Sequence, residues 1–207
     1  MTETYDTVAV AGAAGDPRTL VLLHGTGGDA TSFASLAGHI APGAHALSLQ
    51  GDVLEHGMPR FFRRLREGVY DMDDLARASA KLAAFAPSAL ETAGRPGDSV
   101  AYVGFSNGAN LIAATLLARP DVVRRAVLMH PLIPFEIDPG TDLSGVEVLV
   151  TAGHRDPIAP WPLTELLVEG LRGAGAIVTL ADGPGGHEVS GPEVDAIRAW
   201  LSERIGA

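Results

Sequence analysis

The sequence predicts an α/β fold built on a mostly parallel, doubly wound sheet. Short runs of apolar and β-branched residues alternate along the chain with longer segments in which apolar residues recur at helical spacing. Strands and helices that alternate in this way form parallel sheets covered by helices on both faces. The run 20–23, Leu-Val-Leu-Leu, is apolar at every position, as expected for a strand buried on both faces.

The first part of the chain contains two strand-like runs, at 5–11 and 19–23, joined by a glycine-rich segment with Pro17 near its end. Because glycine and proline mark tight turns, we expect these two runs to pair as a hairpin. Apolar residues at helical spacing then predict a helix over 31–40, and the next strand covers 44–49.

The remaining elements alternate in the same manner. In chain order we predict a helix at 73–93, a strand at 100–105, a helix at 109–118, strands at 122–129 and 146–152, a helix at 161–174, a strand at 176–181 and a helix at 192–205. We expect a single domain over residues 1–207, because this length and a hydrophobic content of 46% supply one sizeable core.

The charge and the residue types narrow the range of functions. The formal net charge is −10, and the only basic cluster is the short arginine-rich stretch 60–66, so a nucleic-acid partner is disfavoured. The absence of cysteine excludes disulfides, thiolate metal sites and a cysteine nucleophile. No two histidines stand at helical ligand spacing, so the sequence predicts no metal site.

The N-terminal residues 1–10 are polar and partly acidic, which is unlike a secretory signal. Apolar runs such as 111–118 are shorter than the roughly 20 residues that a membrane span needs. We therefore expect a cytoplasmic protein with no membrane partner. The sequence does not specify an oligomeric state, and a homodimer formed through a surface helix stays open.

A Gly-x-Ser-x-Gly motif stands at residues 104–108, between the predicted strand 100–105 and the predicted helix 109–118. In a nucleophile elbow this turn projects the serine hydroxyl from the sheet edge, and the glycines allow strand and helix to approach closely. The five-residue pattern alone is common, but here the strand and the helix stand on the correct sides. Ser106 is therefore the candidate nucleophile.

A serine hydroxyl needs a neighbouring base, and an imidazole suits that task near neutral pH. The elbow resembles that of the α/β-hydrolases, in which nucleophile, acid and base follow one another along the chain and the base lies after the last strand. Among seven histidines, only His187, in the glycine-rich segment 182–188, meets that condition. His187 is therefore the candidate base.

Asp156 is the candidate acid, because it follows the predicted strand 146–152 at the place where this fold carries the carboxylate that orients the base. Pro157 would hold its loop rigid. Asp182 and Glu188 are alternatives that stand nearer to His187 in sequence, and we expect both to lie too close along the backbone to reach the far ring nitrogen.

The segment His24-Gly25-Thr26-Gly27-Gly28 follows a buried strand and suits an oxyanion hole, because small residues leave backbone N–H groups free. We expect the N–H groups of Thr26 and Asn107 to be the two donors. A phosphate-binding loop is the competing interpretation, but the Gly-Lys-Ser/Thr signature is missing.

The segment 50–74 follows a strand end, where open α/β sheets build their sites. Its phenylalanines either line a substrate pocket or belong to the core, and its arginines either meet an anionic group or pair with the acidic residues that follow. Both interpretations stay open. The candidate substrate-binding residues are Arg60, Phe61, Phe62, Leu132 and Trp161.

With these motifs in order, the chain resembles the phospholipase/carboxylesterase family of the α/β-hydrolases, which includes bacterial carboxylesterases and acyl-protein thioesterases. The resemblance implies a serine esterase that acts on a small-molecule ester without a cofactor. The interval between the strands 122–129 and 146–152 is too short for a large cap domain. The thioesterases and many relatives carry Gln after the nucleophile, whereas this chain has Asn107, so their substrate preference does not transfer.

Three further functions stay open beside an ordinary esterase. Thioester hydrolysis and dienelactone-type lactone hydrolysis use the same chemistry, and a non-catalytic binding protein would use only the scaffold. The segment 56–64 resembles a bacterial hydrolase branch associated with aromatic or quinone metabolism, which points to aromatic esters.

Overall fold

The computed structural model describes residues 4–95, 99–133 and 136–206. Within these ranges the strands are β1 Thr7–Val10, β2 Thr19–Leu23, β3 His45–Leu49, β4 Val53–Glu55, β5 Met58–Arg60, β6 Arg64–Arg66, β7 Val69–Tyr70, β8 Val100–Phe105, β9 Arg125–Met129, β10 Glu147–Gly153 and β11 Ile177–Gly183. The helices are α1 Ala30–Ala34, α2 Ala37–Ile40, α3 Met72–Thr92, α4 Asn107–Ala118, α5 Trp161–Gly173 and α6 Gly191–Ile205.

Seven strands form one central sheet in the order β1-β3-β2-β8-β9-β10-β11. Every neighbouring pair from β3 to β11 is parallel, and only the edge strand β1 runs antiparallel to its neighbour. The prediction of a mostly parallel α/β sheet is confirmed. Because parallel strands end at the same edge, the loops after β2, β8, β10 and β11 meet there.

The predicted hairpin between the first two strands is wrong. β1 pairs with β3, with Thr7 opposite Leu49 and Val10 opposite Ala46, whereas β2 lies between β3 and β8. The burial of the two strands explains the difference: β2 is buried at all five positions and takes a central place, while β1 alternates between exposed and half-buried residues and takes an edge.

Two other segments also differ from the prediction. The expected helix at 31–40 is divided into α1 and α2, which are separated by Ser35 and Leu36. The segment 50–74 contains two small antiparallel ribbons, β4–β5 and β6–β7, which the sequence pattern did not indicate.

The core has two layers, one on each face of the sheet. Apolar side chains of α3, α4 and α5, such as Leu82, Leu111 and Leu171, are buried on one face. Ile40 of α2 and Trp200 of α6 are buried on the other. Within the described ranges, no helix is both long enough and apolar enough to cross a membrane.

Gly108, in the first turn of α4, lets this helix pack directly against the backbone of β2. A Cβ atom built on Gly108 would overlap the carbonyl oxygen of Leu23 and lie 2.7 Å from that of His24. Backbone oxygens cannot move aside as a flexible side chain could, so this contact requires glycine.

We predict that Gly108→Ala lowers the free energy of unfolding by about 1–3 kcal/mol, because the added methyl group forces α4 away from β2. Gly173→Ala is the matched control, since a Cβ atom there meets nothing within 4 Å and the residue lies at the end of α5. Urea unfolding of both variants measures the effect. Equal stability of the two variants would contradict the close-packing argument.

Candidate active site

Ser106 stands between β8 and α4 in a strained backbone conformation. Its φ is 51° and its ψ is −114°, a region that residues other than glycine rarely occupy. Its N–H donates to the carbonyl oxygen of Met129 on the neighbouring strand at 2.8 Å. The turn therefore holds the serine at the carboxyl edge of the sheet.

Three side chains from separate loops form a continuous hydrogen-bonded chain at this edge. Ser106 Oγ lies 2.9 Å from His187 Nε2, and His187 Nδ1 lies 2.7 Å from Asp156 Oδ2. An Nδ1–H that donates to the carboxylate leaves Nε2 free to accept the serine proton. These distances match the geometry of a Ser-His-Asp triad.

Asp156 is buried and well supplied with hydrogen-bond donors. Its Oδ1 accepts the N–H groups of Ile158 and Ala159 at 2.8 and 2.9 Å. Burial opposes ionisation, but the hydrogen bonds from the Ala159 and Ile158 N–H groups, from His187 and from His130 together outweigh burial and lower the pKa of Asp156. Asp156 is therefore an ionised carboxylate that can orient an imidazole.

The two alternative acids have other partners. Asp182 lies 2.7 Å from His154 Nε2, and Glu188 accepts the Gly186 N–H at 3.0 Å. Among the hydrogen bonds of the described residues, neither carboxylate contacts His187. The geometry favours Asp156 over both.

The two expected oxyanion donors lie on either side of the serine. Thr26 follows β2, Asn107 is the first residue of α4, and both line the same cavity as Ser106. No hydrogen bond among the described residues uses the N–H of Thr26 or of Asn107. The first N–H groups of a helix have no partner within the helix and attract negative charge, so the Asn107 N–H is suited to this task.

A small cavity of about 190 Å³ opens at Ser106. Its lining residues are Thr26, Arg60, Arg64, Glu67, Tyr70, Phe105, Ser106, Asn107, Asn110, His130, Leu132, Ile158 and His187. A larger apolar groove of about 700 Å³ lies between α5 on one side and Ile133 and residues 136–141 on the other, and its lining includes none of these cavity residues. We place the site at the smaller cavity, because it contains the hydrogen-bonded serine.

Comparison with known proteins decides the family. The Bacillus subtilis (strain 168) protein named "Putative hydrolase MhqD" is 41% identical over 186 residues, which cover 90% of this chain and 93% of that protein. The chain belongs to the phospholipase/carboxylesterase family of α/β-hydrolases. No protein-family model matches the chain.

Solved structures agree with this assignment. The Bacillus cereus carboxylesterase is 35% identical with a TM-score of 0.91, over 97% of this chain and 94% of that one. The protein Atu2452 of unknown function from Agrobacterium tumefaciens str. C58 is 46% identical with a TM-score of 0.86, over 97% of both chains. The α/β-hydrolase fold of the present chain shows no large cap domain over the described residues.

The five predicted substrate-binding residues separate into two groups. Arg60 and Leu132 line the cavity of this hydrolase. Phe61 and Phe62 do not: both are fully buried, Phe61 against His24 at 4.8 Å between ring centroids and Phe62 against Tyr70 at 5.0 Å. The prediction that Phe61 and Phe62 line a substrate pocket is therefore wrong. Both belong to the core, as the alternative interpretation expected.

Trp161 is also outside the cavity lining. It begins α5 and packs against the ring of His154, with 4.0 Å between the centroids. From the sequence we expected Trp161 to lie at the substrate pocket, but Ile158, on the loop after β10, lines the cavity instead.

The arginines of the segment 60–64 have different surroundings. The exposed Arg63 pairs with Asp71 and Asp74 at 3.1 and 3.3 Å, as the pairing interpretation expected. Arg60 is buried and donates to Thr26 Oγ1 at 2.5 Å. Arg64 contacts Glu55 at 3.0 Å and also pairs with Glu67.

Sequence reasoning missed a polar network that forms the cavity wall. Tyr70 Oη donates to the carbonyl oxygen of Leu132, and Asn110 bridges the two residues through its side chain, with all three hydrogen bonds at 2.7 Å. The available signal was Asn110 itself, a polar residue within a largely apolar helix. Its position on the first turn of α4 brings it beside Ser106.

His130, Asp156 and His187 also bring potential ligand atoms within 4.8 Å of one another. Both Nδ1 atoms are already within 2.8 Å of the same carboxylate oxygen, which fits N–H groups that donate hydrogen bonds. A metal ion would require both nitrogens to be deprotonated. The donor set therefore fits proton-bearing groups better than metal ligands.

The glycine segment after β2 is held by the buried imidazole of His24. His24 Nε2 accepts the Gly51 N–H at 3.0 Å, so Nδ1 carries the proton and donates to the Gly25 carbonyl oxygen at 2.7 Å. Burial lowers the pKa of His24, although the hydrogen bond to Gly25 opposes that effect. The imidazole is neutral in the fold.

We predict that His24→Gln lowers the free energy of unfolding by about 1–3 kcal/mol at pH 7.5, because buried hydrogen bonds are lost. In the unfolded chain a histidine has a pKa of about 6.5. The contribution of neutral His24 is therefore complete above that pH and decreases as the pH falls below it, towards the lower pKa of the fold.

Urea unfolding of both proteins between pH 7.5 and 5 measures the difference. We expect the gap between wild type and variant to shrink below pH 6.5. A gap that stays constant over the whole range would contradict a neutral His24.

Proposed function

We propose that this protein is a serine carboxylesterase that hydrolyses small acyl esters through an acyl-enzyme. The observation that carries the proposal is the hydrogen-bonded chain from Ser106 through His187 to Asp156. The carboxylesterase of Bacillus cereus, which shares the fold at 35% identity, supports the reaction class.

In the proposed first step, His187 Nε2 takes the proton of Ser106 as Oγ attacks the ester carbonyl. The negative charge that develops on the carbonyl oxygen is stabilised by the N–H groups of Thr26 and Asn107. His187 then gives its proton to the leaving alcohol, and the acyl group stays on Ser106.

In the second step, a water molecule gives a proton to His187 and attacks the acyl-enzyme. The same two N–H groups stabilise the second oxyanion, and collapse of this intermediate releases the carboxylic acid and returns the proton to Ser106. Asp156 stays ionised and stabilises the imidazolium in both steps. The proposed reaction needs no cofactor. The cytoplasmic location of the protein stays a prediction.

The cavity supports a small substrate. Its volume of about 190 Å³ is below the roughly 300–1,000 Å³ typical of pockets for drug-sized ligands. Arg60, Arg64 and Glu67 are among its lining residues. Short acyl groups, including those with a terminal carboxylate, therefore fit this site better than long alkyl chains.

We predict that Ser106→Ala reduces kcat/KM for p-nitrophenyl butyrate by about 10⁴-fold or more, because no other group can take the acyl chain. Ser144→Ala is the matched control, since this serine lies before β10 and does not line the cavity. A fluorophosphonate probe should label the wild type and the control, but neither Ser106→Ala nor His187→Ala.

Retention of most activity by Ser106→Ala would contradict the assignment of the nucleophile. Absence of both labelling and hydrolysis in the wild type would favour a non-catalytic binding protein. The same acyl group presented as an oxygen ester and as a thioester separates a carboxylesterase from a thioesterase, and we expect the higher kcat/KM for the oxygen ester.

We predict that Arg64→Gln lowers the kcat/KM ratio of mono-p-nitrophenyl succinate to p-nitrophenyl butyrate by about tenfold. A hydrogen bond to a charged group contributes about 1.5–3 kcal/mol, and 1.4 kcal/mol corresponds to a factor of ten. The two esters differ only in the terminal carboxylate. Arg63→Gln is the control, since Arg63 is exposed and outside the cavity lining; an unchanged ratio in Arg64→Gln would exclude Arg64 as an anion contact.

A further inference from the structure

A second histidine at the site is buried between two carboxylates. His130 directly follows β9, with 1% of its surface exposed and a φ of 50°. Its Nδ1 lies 2.8 Å from Asp156 Oδ2, and its Nε2 lies 2.9 Å from Glu193 Oε1. The proposed reaction assigns no task to His130 or to Glu193.

These two contacts determine the charge of the ring. A neutral imidazole has one N–H, so one of its nitrogens would face a carboxylate oxygen without a proton between them. An imidazolium donates to both. Burial opposes that charge, but the hydrogen bonds and charges of Glu193 and Asp156 outweigh burial and raise the pKa of His130.

Glu193 is also charged, as a carboxylate. Burial would raise the pKa of this carboxyl, but its hydrogen bonds, first among them those from His130 and from the backbone of Ser190, together outweigh burial and lower its pKa to about 2. Its Oε2 accepts both the N–H and the Oγ–H of Ser190 at 2.9 Å, as part of the capping box of α6. The carboxylate is therefore fixed to the start of this helix.

The groups that face His130 come from four elements. Asp156 lies on the loop after β10 and Glu193 on α6. The ring of His187, on the loop after β11, lies 5.4 Å away between centroids, and that of Phe105 on β8 lies 5.7 Å away. Among the described residues these carboxylates and the His187 ring are the titratable groups in contact with it.

We propose that His130 is a positioning residue, an imidazolium that ties Asp156 to Glu193 and thereby fixes the carboxylate oxygen that orients His187. Asp156 Oδ2 receives both Nδ1–H groups, at 2.7 Å from His187 and 2.8 Å from His130. Two donors from different directions restrict this oxygen more than one donor does. The kinetic consequence of this proposal rests on the proposed function. The charge of His130 does not, because it follows from the two carboxylate contacts.

The charge makes the arrangement sensitive to alkaline pH. When His130 loses its proton, one carboxylate faces an unprotonated nitrogen, and the repulsion displaces either Asp156 or the start of α6. Since a displacement of about 1 Å at a catalytic group can cost about 10²-fold in rate, kcat/KM should fall as His130 deprotonates.

Glu193→Gln is the decisive variant. A glutamine can keep the cap of α6 through its carbonyl oxygen and present its amide N–H to His130 Nε2. A neutral His130 is then satisfied on both sides, with Nδ1–H still donating to Asp156. We expect the titration midpoint of His130 to fall by at least about one pH unit, and the alkaline decrease in kcat/KM to disappear.

The experiment combines nuclear magnetic resonance of the histidine ring nitrogens with kcat/KM for p-nitrophenyl butyrate between pH 5 and 10. The His130 signals are assigned by their loss in His130→Gln. In the wild type we expect both His130 nitrogens to be protonated at pH 7, and His130→Gln to lower kcat/KM by about 10²-fold at that pH.

His154→Gln is the matched control, because His154 also lies 2.7 Å from a carboxylate, that of Asp182, but is exposed and outside the cavity. Its pH profile should equal that of the wild type.

A neutral His130 at pH 7, or a midpoint that is unchanged in Glu193→Gln, would overturn the charge assignment. Alkaline profiles that coincide in the wild type and Glu193→Gln would overturn the positioning role. If the wild type hydrolyses no ester, the proposed function fails, while the nitrogen spectra still decide whether His130 carries the charge that joins the two carboxylates.

Discussion

Close contact between backbones brings the loops of the site together. A Cβ atom on Gly104 would lie 2.6 Å from the backbone nitrogen of Ala109, and one on Gly108 would overlap the backbone of Leu23. A Cβ atom on Gly153 would lie 2.5 Å from the carbonyl oxygen of Gly185. The first two glycines let the start of α4 pack against β8 and β2. The third lets the end of β10, just before the loop of Asp156, pack against the loop of His187.

These contacts allow one row of hydrogen bonds to run through the interior. It begins at Ser106, passes through His187, Asp156 and His130, and ends at Glu193 on the cap of α6. Burial makes each charge in the row costly, and each is offset by an opposite charge or by backbone N–H groups. The serine, which stands in a strained turn, is thereby linked to elements on both sides of the sheet.

Sequence reasoning was most successful where the position of the candidate site residues depends on order along the chain. Ser106, Asp156 and His187 each follow a predicted strand, and parallel strands end at one edge, so their meeting could be expected from the pattern. The β1–β2 hairpin was wrong, because local turn residues do not reveal which strand is buried deeply enough to take the centre of a sheet. The contacts of His130 and Asn110 could not be predicted, although Asn110 stood out as a polar residue in an apolar segment, since nothing in the linear pattern states which buried polar groups contact each other.

The sequence alone determined the alternation of strands and helices, the serine elbow, and the order of the candidate nucleophile, acid and base, because these depend on local spacing and on the type of each residue. Tertiary structure alone decided that Phe61 and Phe62 belong to the core, that Arg60 and Arg64 face the cavity, and that His130 lies between two carboxylates. The physical reason is that burial and pairing are properties of neighbours distant along the chain. A phenylalanine, an arginine or a histidine acquires its role only when the side chains and the water around it are specified.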